Sequence, residues 1–469
     1  MKRHVCVVLA AVGLTGCTVG PNYTRPSVAV PQTFRAPEPL PAPQAASFAN
    51  LKWFEVFKDE KLQDLIRTGL AQNYDLRDAV ARVEAARANL GITRSNQFPN
   101  FGASGAVELN RLSRNGTTPL PPDILSSQNR NFGEASLSLL SFEIDLWGQL
   151  RRATEAARAN LLSADENRKA VVTTLVSDIA TAYLTVRELD HELEISRGTL
   201  QTRQDSLELT RSRQRGGVST LLDLRQAEQL VDTAAQAIPV IEQEIAQTEN
   251  QIKLLLGENP GEVVRGNALT EQALPPDVPP GLPSELLERR PDIRAAEQDL
   301  VAANAEIGVA RAAYFPQLSL SGLLGGQSTQ LASLFSGPAS TWSLVPQLTQ
   351  PIFTAGRLKS NVKLTEAERE SALARYQKTI QTAFYEVSNS LIAHQKVRES
   401  REKQEELVFA LQDRKRLAYI RYRGGVDTQL NALDADRDLF QGELMLSQIR
   451  LQELLTVVQL YKALGGGWQ

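Results

Sequence analysis

The chain is poor in the residues that most often carry chemistry. Its 469 residues include two cysteines, two methionines and three histidines. Cys6 and Cys17 both lie near the start, so no disulfide framework follows. His4, His191 and His394 form no His/Cys metal set. Met1 and Met445 trace no thioether path for a soft ion such as copper, which leans towards organic solutes. There is no Gly-x-Ser-x-Gly elbow and no glycine loop to cradle phosphate. Asp and Glu pairs recur along the whole chain and none stands apart as an acid–base pair. These absences argue against an enzyme, a resident metal and a cofactor. An excess of one charge is missing too. Lys and Arg number 51 against 54 Asp and Glu, and 49 against 54 once Lys2 and Arg3 are set aside. Such a balance does not suit nucleic acid. No apolar run reaches eighteen residues, so no membrane-spanning helix is expected.

Proline and glycine are absent over two long stretches. Gln149 to Arg215 has no proline and only Gly198, and Arg357 to Arg423 has neither. Each stretch is 67 residues. A helix of that length extends about 100 Å. Shorter helical patterns cover Leu62 to Gln97, Thr220 to Leu256, Ser284 to Tyr314 and Thr428 to Leu464. Pro239 is expected to bend or interrupt the second of these. Ala79, Val83, Ala86 and Leu90 make a narrow seam of small apolar residues, as in a coiled coil. Ordinary long helical spacers would show the same seam.

What is present is a duplication. Asp75-Leu76-Arg77, Gly91 and Phe98-Pro99 recur as Asp292-Ile293-Arg294, Gly308 and Phe315-Pro316, always 217 residues later. Gly216-Gly217-Val218 recurs as Gly424-Gly425-Val426, 208 residues later. The first copy therefore carries an insertion between Pro99 and Gly148. The resulting plan is a mainly α chain with a duplicated helix–strand–helix unit. Repeat 1 covers residues 61–260, with strands at about 100–112 and 132–144 and a helical tip at about 215–221. Repeat 2 covers 284–464, with strands at about 316–326 and 340–353 and a tip at about 423–429. A proline-rich linker, 261–283, separates them, and 465–469 form a tail.

The strand assignments rest on alternation. Ser136-Leu137-Ser138-Leu139, Ala106 to Asn110, Gln317 to Ser321 and Trp342 to Val345 alternate polar with apolar residues. Strands of about ten such residues suit a transmembrane β-barrel. A soluble hairpin capping a helical bundle is the other possibility. Four strands cannot close a barrel, and lipid does not tolerate open edges. Closure then needs more copies: two give eight strands with a filled interior, and three give twelve with room for a lumen.

The N-terminus reads as an export signal. Lys2, Arg3 and His4 precede a short apolar run, Val5 to Val12. Leu14-Thr15-Gly16-Cys17 resembles the lipobox of bacterial lipoproteins. That resemblance makes 1–16 a signal peptide and Cys17 the lipidated first residue of a tether, 17–60. A secretory signal with an incidental cysteine is the alternative.

Taken in order, several motifs resemble the outer-membrane factor family, the TolC-like export ducts, in its OprM/NodT lipoprotein branch. They are Gly20-Pro21-Asn22-Tyr23, Trp53-Phe54-Glu55-Val56-Phe57, Asn73-Tyr74-Asp75-Leu76-Arg77, the two Phe-Pro steps and the two Gly-Gly-Val tips. The resemblance implies a homotrimer in the outer membrane: a periplasmic barrel of α-helices continuous with a 12-stranded β-barrel. It implies a passive exit duct in a tripartite efflux system, with a periplasmic adaptor and an inner-membrane RND-type pump as partners. The adaptor would dock at Gly216, Gly217, Val218, Gly424, Gly425 and Val426. By match to the family's tips, Asp427 and Asp434 line the pore constriction. Asp223 ties to Arg421 and Tyr422 as a gate. This chain has Asp427 where TolC-like tips carry arginine, and Asn431 where they carry aspartate. The rival reading is a structural periplasmic coiled-coil lipoprotein without a pore.

Overall fold

The computed structural model describes residues 18–36, 48–111, 129, 131–272, 279 and 281–468. The signal segment, Cys17 and most of the insertion in the first copy lie outside them. The main helices are α1 (Glu60–Gln72), α2 (Tyr74–Ser95), α3 (Gln149–Arg215), α4 (Leu221–Leu256), α5 (Pro291–Ala312), α6 (Arg357–Arg423) and α7 (Gln429–Ala463). The strands are β1 (Phe101–Glu108), β2 (Phe132–Ile144), β3 (Gln317–Ser328) and β4 (Ser340–Thr349).

Two expected helices differ in detail. The first short helix divides at Asn73, whose ψ of 133° ends α1. The Asn73 side chain accepts from Leu76 N–H and donates to the Leu255 carbonyl, capping the next helix while binding another. Pro239, by contrast, neither ends nor interrupts α4. It is exposed, so the carbonyl deprived of its N–H partner is close to water. Arg290, which precedes Pro291, is extended, and Pro291 opens α5.

The chain divides into two compact units. One contains residues 1–26, 83–164 and 296–376. Its centre is a four-stranded antiparallel sheet in the order β1-β2-β3-β4. A bulge in β2 between Leu139 and Phe142 shifts its register against β3. The ladder sorts side chains by face. One cross-strand row holds Ala103, Leu137, Leu324 and Trp342, and another holds Phe101, Leu139, Gly322 and Leu344. The opposite face carries Ser104, Ser136, Gly325 and Thr341, with Ser104 and Ser136 hydroxyls 2.9 Å apart. Leu137, Leu324, Trp342, Leu344 and Leu348 are all exposed. The outer edges of β1 and β4 have no strand partner among the described residues.

The same unit binds the N-terminal segment as a strap. Val19 N–H donates to the Trp147 carbonyl, and Arg152 donates to Asn22 at 2.6 Å. Asn304 donates to the Pro21 carbonyl, while Tyr23 and Arg25 both donate to Glu297. Gly20, with φ of 98°, lies flat against α5: a Cβ there would come within 2.5 Å of the Gly308 Cα. Only glycine on both sides permits this approach. Gly91, the first-copy counterpart of Gly308, has open space instead. Trp147 stacks on Phe315 at 4.7 Å, joining the strand–helix step of one copy to the helix–strand step of the other.

The other unit contains residues 27–82, 165–295 and 377–469. Its core surrounds α3. Val176, Ile179, Ala180, Tyr183 and Val186 are fully buried, with Leu62 and Ile66 of α1 and Leu460 and Tyr461 of α7. Each large aliphatic side chain buried this way contributes about 1.5–3 kcal/mol. One eighteen-residue window of α3 is apolar enough on average to cross a membrane by composition, although it is not an unbroken apolar run. Of that window, 56% is buried inside the protein, so it reads as core. Asp59 is a polar hub: its carboxylate accepts from Tyr183, Gln272, Asn267 N–H and Lys61 N–H. Those bonds outweigh burial and hold its pKa below the usual range.

Candidate functional site: the helical tips

The two hairpins α3–α4 and α6–α7 turn by the same local chemistry. In the first, Val218 N–H donates to the Arg213 carbonyl and Gly217 N–H to Gln214. In the second, Val426 N–H donates to Arg421 and Gly425 N–H to Tyr422. This pair of bonds is the Schellman motif, and it needs a left-handed residue at its centre. Gly217 and Gly425 both have φ of 73°. Val218, Leu221, Leu222 and Val426 are left exposed around these turns.

The next helix starts differ in a way that matters. Thr220 caps α4, and Asp223 returns the favour by accepting from Thr220 N–H and its hydroxyl. That reciprocal capping box occupies the Asp223 carboxylate. Asp223 therefore does not reach Arg421 or Tyr422 within the chain, so the expected tie is not formed there. In the second tip Thr428 is the cap, but position 431 is Asn. Asn431 turns instead to Asp427 at 2.6 Å. Asp427 also accepts from Thr428 N–H and pairs with Arg421 at 3.0 Å. The Arg421 bond, then Asn431 and the Thr428 N–H, hold the Asp427 pKa below the usual range. Asp434 pairs with Arg437 one turn on, at 3.3 Å.

Tyr422 does join the two hairpins, by a different route. Its hydroxyl donates to Gln429, whose amide donates to Thr210 of α3 at 2.8 Å. The Arg213 guanidinium lies over the Tyr422 ring, 4.8 Å from its centre. Deeper in the bundle sits a buried ionic knot. Asp436 of α7, 1% exposed, accepts from Arg203 of α3 at 2.7 Å and pairs with Lys415 of α6 at 2.6 Å. Arg203 also donates to the Leu230 carbonyl of α4 and lies over the Phe440 ring. One cluster thus touches all four helices. The sequence holds a signal for it. Ser196, Arg203 and Thr210 are buried at seven-residue spacing, and Asp436 interrupts the apolar run Leu433, Phe440. Among the described residues, no group of three His, Cys, Asp or Glu is placed to hold a metal.

The chain matches the outer membrane efflux protein family over residues 65–258 and 282–466, one segment for each copy of the repeat. It belongs to that family. The toluene efflux pump outer membrane protein TtgC of Pseudomonas putida is 38% identical over 470 residues, covering 100% of this chain and 96% of that protein. The outer membrane protein OprJ of Pseudomonas aeruginosa is 35% identical, covering 99% and 96%. The open state of the Neisseria gonorrhoeae MtrE outer membrane channel superposes with a TM-score of 0.86 at 30% identity, covering 97% and 99%. Family membership makes this chain an outer-membrane channel of tripartite efflux systems that extends into the periplasm, and it rules for the duct over the poreless coiled-coil lipoprotein. The family is one of transport ducts rather than enzymes.

Proposed function

We propose that three copies assemble into one twelve-stranded barrel, and that this trimer is a passive exit duct for small organic solutes. The observation that carries this reading is the sheet. It has a leucine-rich face, a face of Ser, Gly and Thr, and two open edges. Lipid would meet the first face, water in the lumen would meet the second, and the edges would pair between copies. An organic cargo is favoured by the toluene efflux named for the Pseudomonas putida relative. Cys17 would carry the lipid anchor.

The tips would be the periplasmic working end. Their exposed Gly-Gly-Val turns offer a periplasmic adaptor a small-residue, apolar contact, and an RND-type inner-membrane pump would deliver solute behind it. Three copies would place Asp427 and Asp434 around one axis, as an acidic ring partly compensated by Arg421 and Arg437. The test joins two measurements. The purified protein in mild detergent should run as a trimer, and planar bilayers should show single-channel conductance. A monodisperse monomer with native helical circular dichroism, or trimers without conductance, would overturn the proposal.

A further inference from the structure

The connection between β3 and β4 is not a loose loop. Residues 329–339 form consecutive tight turns, tied by their own serines. Ser328 and Ser333 hydroxyls meet at 2.7 Å, Ser336 Oγ donates to the Ser333 carbonyl and Ser340 Oγ donates to Gly337. The backbone adds Leu334 N–H to Leu331 and Ala339 N–H to Ser336. This built segment folds back over the leucine face of the sheet. A Cβ on Gly326 would collide with the Leu334 carbonyl, and one on Gly133 would come within 2.9 Å of the Leu331 side chain. Gly133, Ala135 and Gly326 share the face of Leu137, Leu324 and Trp342, as the ladder register requires.

Folding back leaves two features. Phe335 is 88% exposed and Leu331 67%, although both belong to an ordered segment. Between Phe335 and the sheet lies a groove of about 420 Å³. Ala103, Ala135, Leu137, Leu324, Gly326 and Leu334 supply its apolar lining, and Ser104, Ser136, Ser336 and Ser340 its polar part. The exposed lining is mostly apolar, and its small residues and leucines suit a slender apolar chain. The groove lies over the middle strands, whereas a second copy would join at β1 or β4. A neighbouring subunit would therefore extend the sheet sideways and leave this face open.

We propose that this groove seats a lipid acyl chain of the outer leaflet, with Phe335 inserted in the bilayer beside it. The groove is continuous with the leucine face, and the connection is at the end of the sheet opposite the helices. Exposed aromatic and aliphatic residues at that level are favoured in the membrane interface and disfavoured in water. The inference rests on the reading that the leucine face meets lipid, so the experiment tests the two separately.

Phe335→Cys and, as the control for the face itself, Leu348→Cys are each labelled with a nitroxide and reconstituted in phosphatidylcholine vesicles. The unsubstituted protein, labelled in parallel, gives the background. Relaxation by oxygen and by a water-soluble nickel chelate is then measured. Both sites should relax with oxygen and resist nickel. If both sites favour nickel, the reading of the sheet itself fails. If Leu348 behaves as expected while Phe335 favours nickel, or is shielded from both reagents, the seat is refuted. Shielding would mean that protein covers it. A second variant, Ala135→Leu, fills the groove without touching Phe335. With spin-labelled phosphatidylcholine, it should lower the motionally restricted lipid fraction of intact assemblies. An unchanged fraction would overturn the acyl-chain seat.

Discussion

At the scale of single residues, the second tip is locked by charge and the first by a cap. Arg421 holds Asp427 in an exposed ion pair, and such pairs weaken in salt. Arg421→Ala should release Asp427 and raise the resting conductance of reconstituted channels, with the rise largest at low ionic strength. An unaltered resting conductance would remove Arg421 from the gate. Replacing both Asp427 and Asp434 with alanine should weaken cation selectivity and block by divalent ions, because acidic rings attract counter-ions. Reversal potentials across a salt gradient measure this, and unchanged values would show that neither side chain lines the lumen. At the other end of the chain, Cys17→Ser should abolish incorporation of radioactive palmitate, since the thiol is the acceptor. Retained label would refute Cys17 as the modified residue.

At the scale of elements, buried charge decides how the helices stay together. Arg203 and Asp436 are 4% and 1% exposed. Removing one partner leaves the other buried and uncompensated. Asp436→Ala should therefore destabilise the four-helix end by about 3–5 kcal/mol. The double change Arg203→Met with Asp436→Leu should recover much of that loss, because apolar groups of similar size need no partner. Guanidinium unfolding followed by circular dichroism would compare the two. A second buried group gives a pH dependence. Glu188 of α3 is 4% exposed and bonds to Glu192, with Glu244 and the Ser447 hydroxyl nearby and Gln448 donating to Glu192. Burial first, then the Glu192 charge, raises its pKa from 4.5 to about 8. The folded state thus holds a proton that the unfolded chain has lost. Its stabilising contribution is complete below pH 4.5 and fades as pH rises through about 8. Melting temperatures between pH 5 and 9 should fall for the unsubstituted protein and fall less for Glu188→Gln. Parallel curves would contradict the assignment.

Elements also show where the sequence was legible. Phe-Pro, Gly-Gly-Val and strict polar–apolar alternation act within a few residues, so the duplicated helix–strand–helix units and four strands could be read directly. The division at Asn73 could not, because its side chain is fixed by the Leu255 carbonyl, 182 residues away. Pro239 does not interrupt its helix, because the cost of its missing N–H depends on exposure, which the sequence does not display. Asp223 sits three residues after Thr220, as a capping box requires. The capping box was legible there, and it takes the carboxylate first. The Arg203–Asp436 pair spans 233 positions, and only the seven-residue spacing of buried polar groups hinted at it.

At the scale of the whole molecule, the bulged ladder between β2 and β3 has a consequence beyond one chain. It is the seam where the first copy of the repeat meets the second. In a closed ring, the second copy of one chain must meet the first copy of the next. The internal seam then serves as a template for the external one. Ile144 faces Leu318 and Leu139 faces Gly322 within the chain. The offset from β2 to β4 is 208 below the β2 bulge and 209 above it, because β4 lacks the extra residue: Phe101 faces Leu139 just as Leu318 faces Leu348. Carried through the duplication, Ile352 should face Phe101 of the neighbour, and Leu348 should face Gly105. Cysteines at positions 105 and 348 should therefore join chains into covalent rings on mild oxidation. Cysteines at 106 and 348 should not, because a slip of one residue turns the side chain to the other face. If only the slipped pair cross-links, the ring does not repeat its internal seam, and three chains do not behave as six equal repeats.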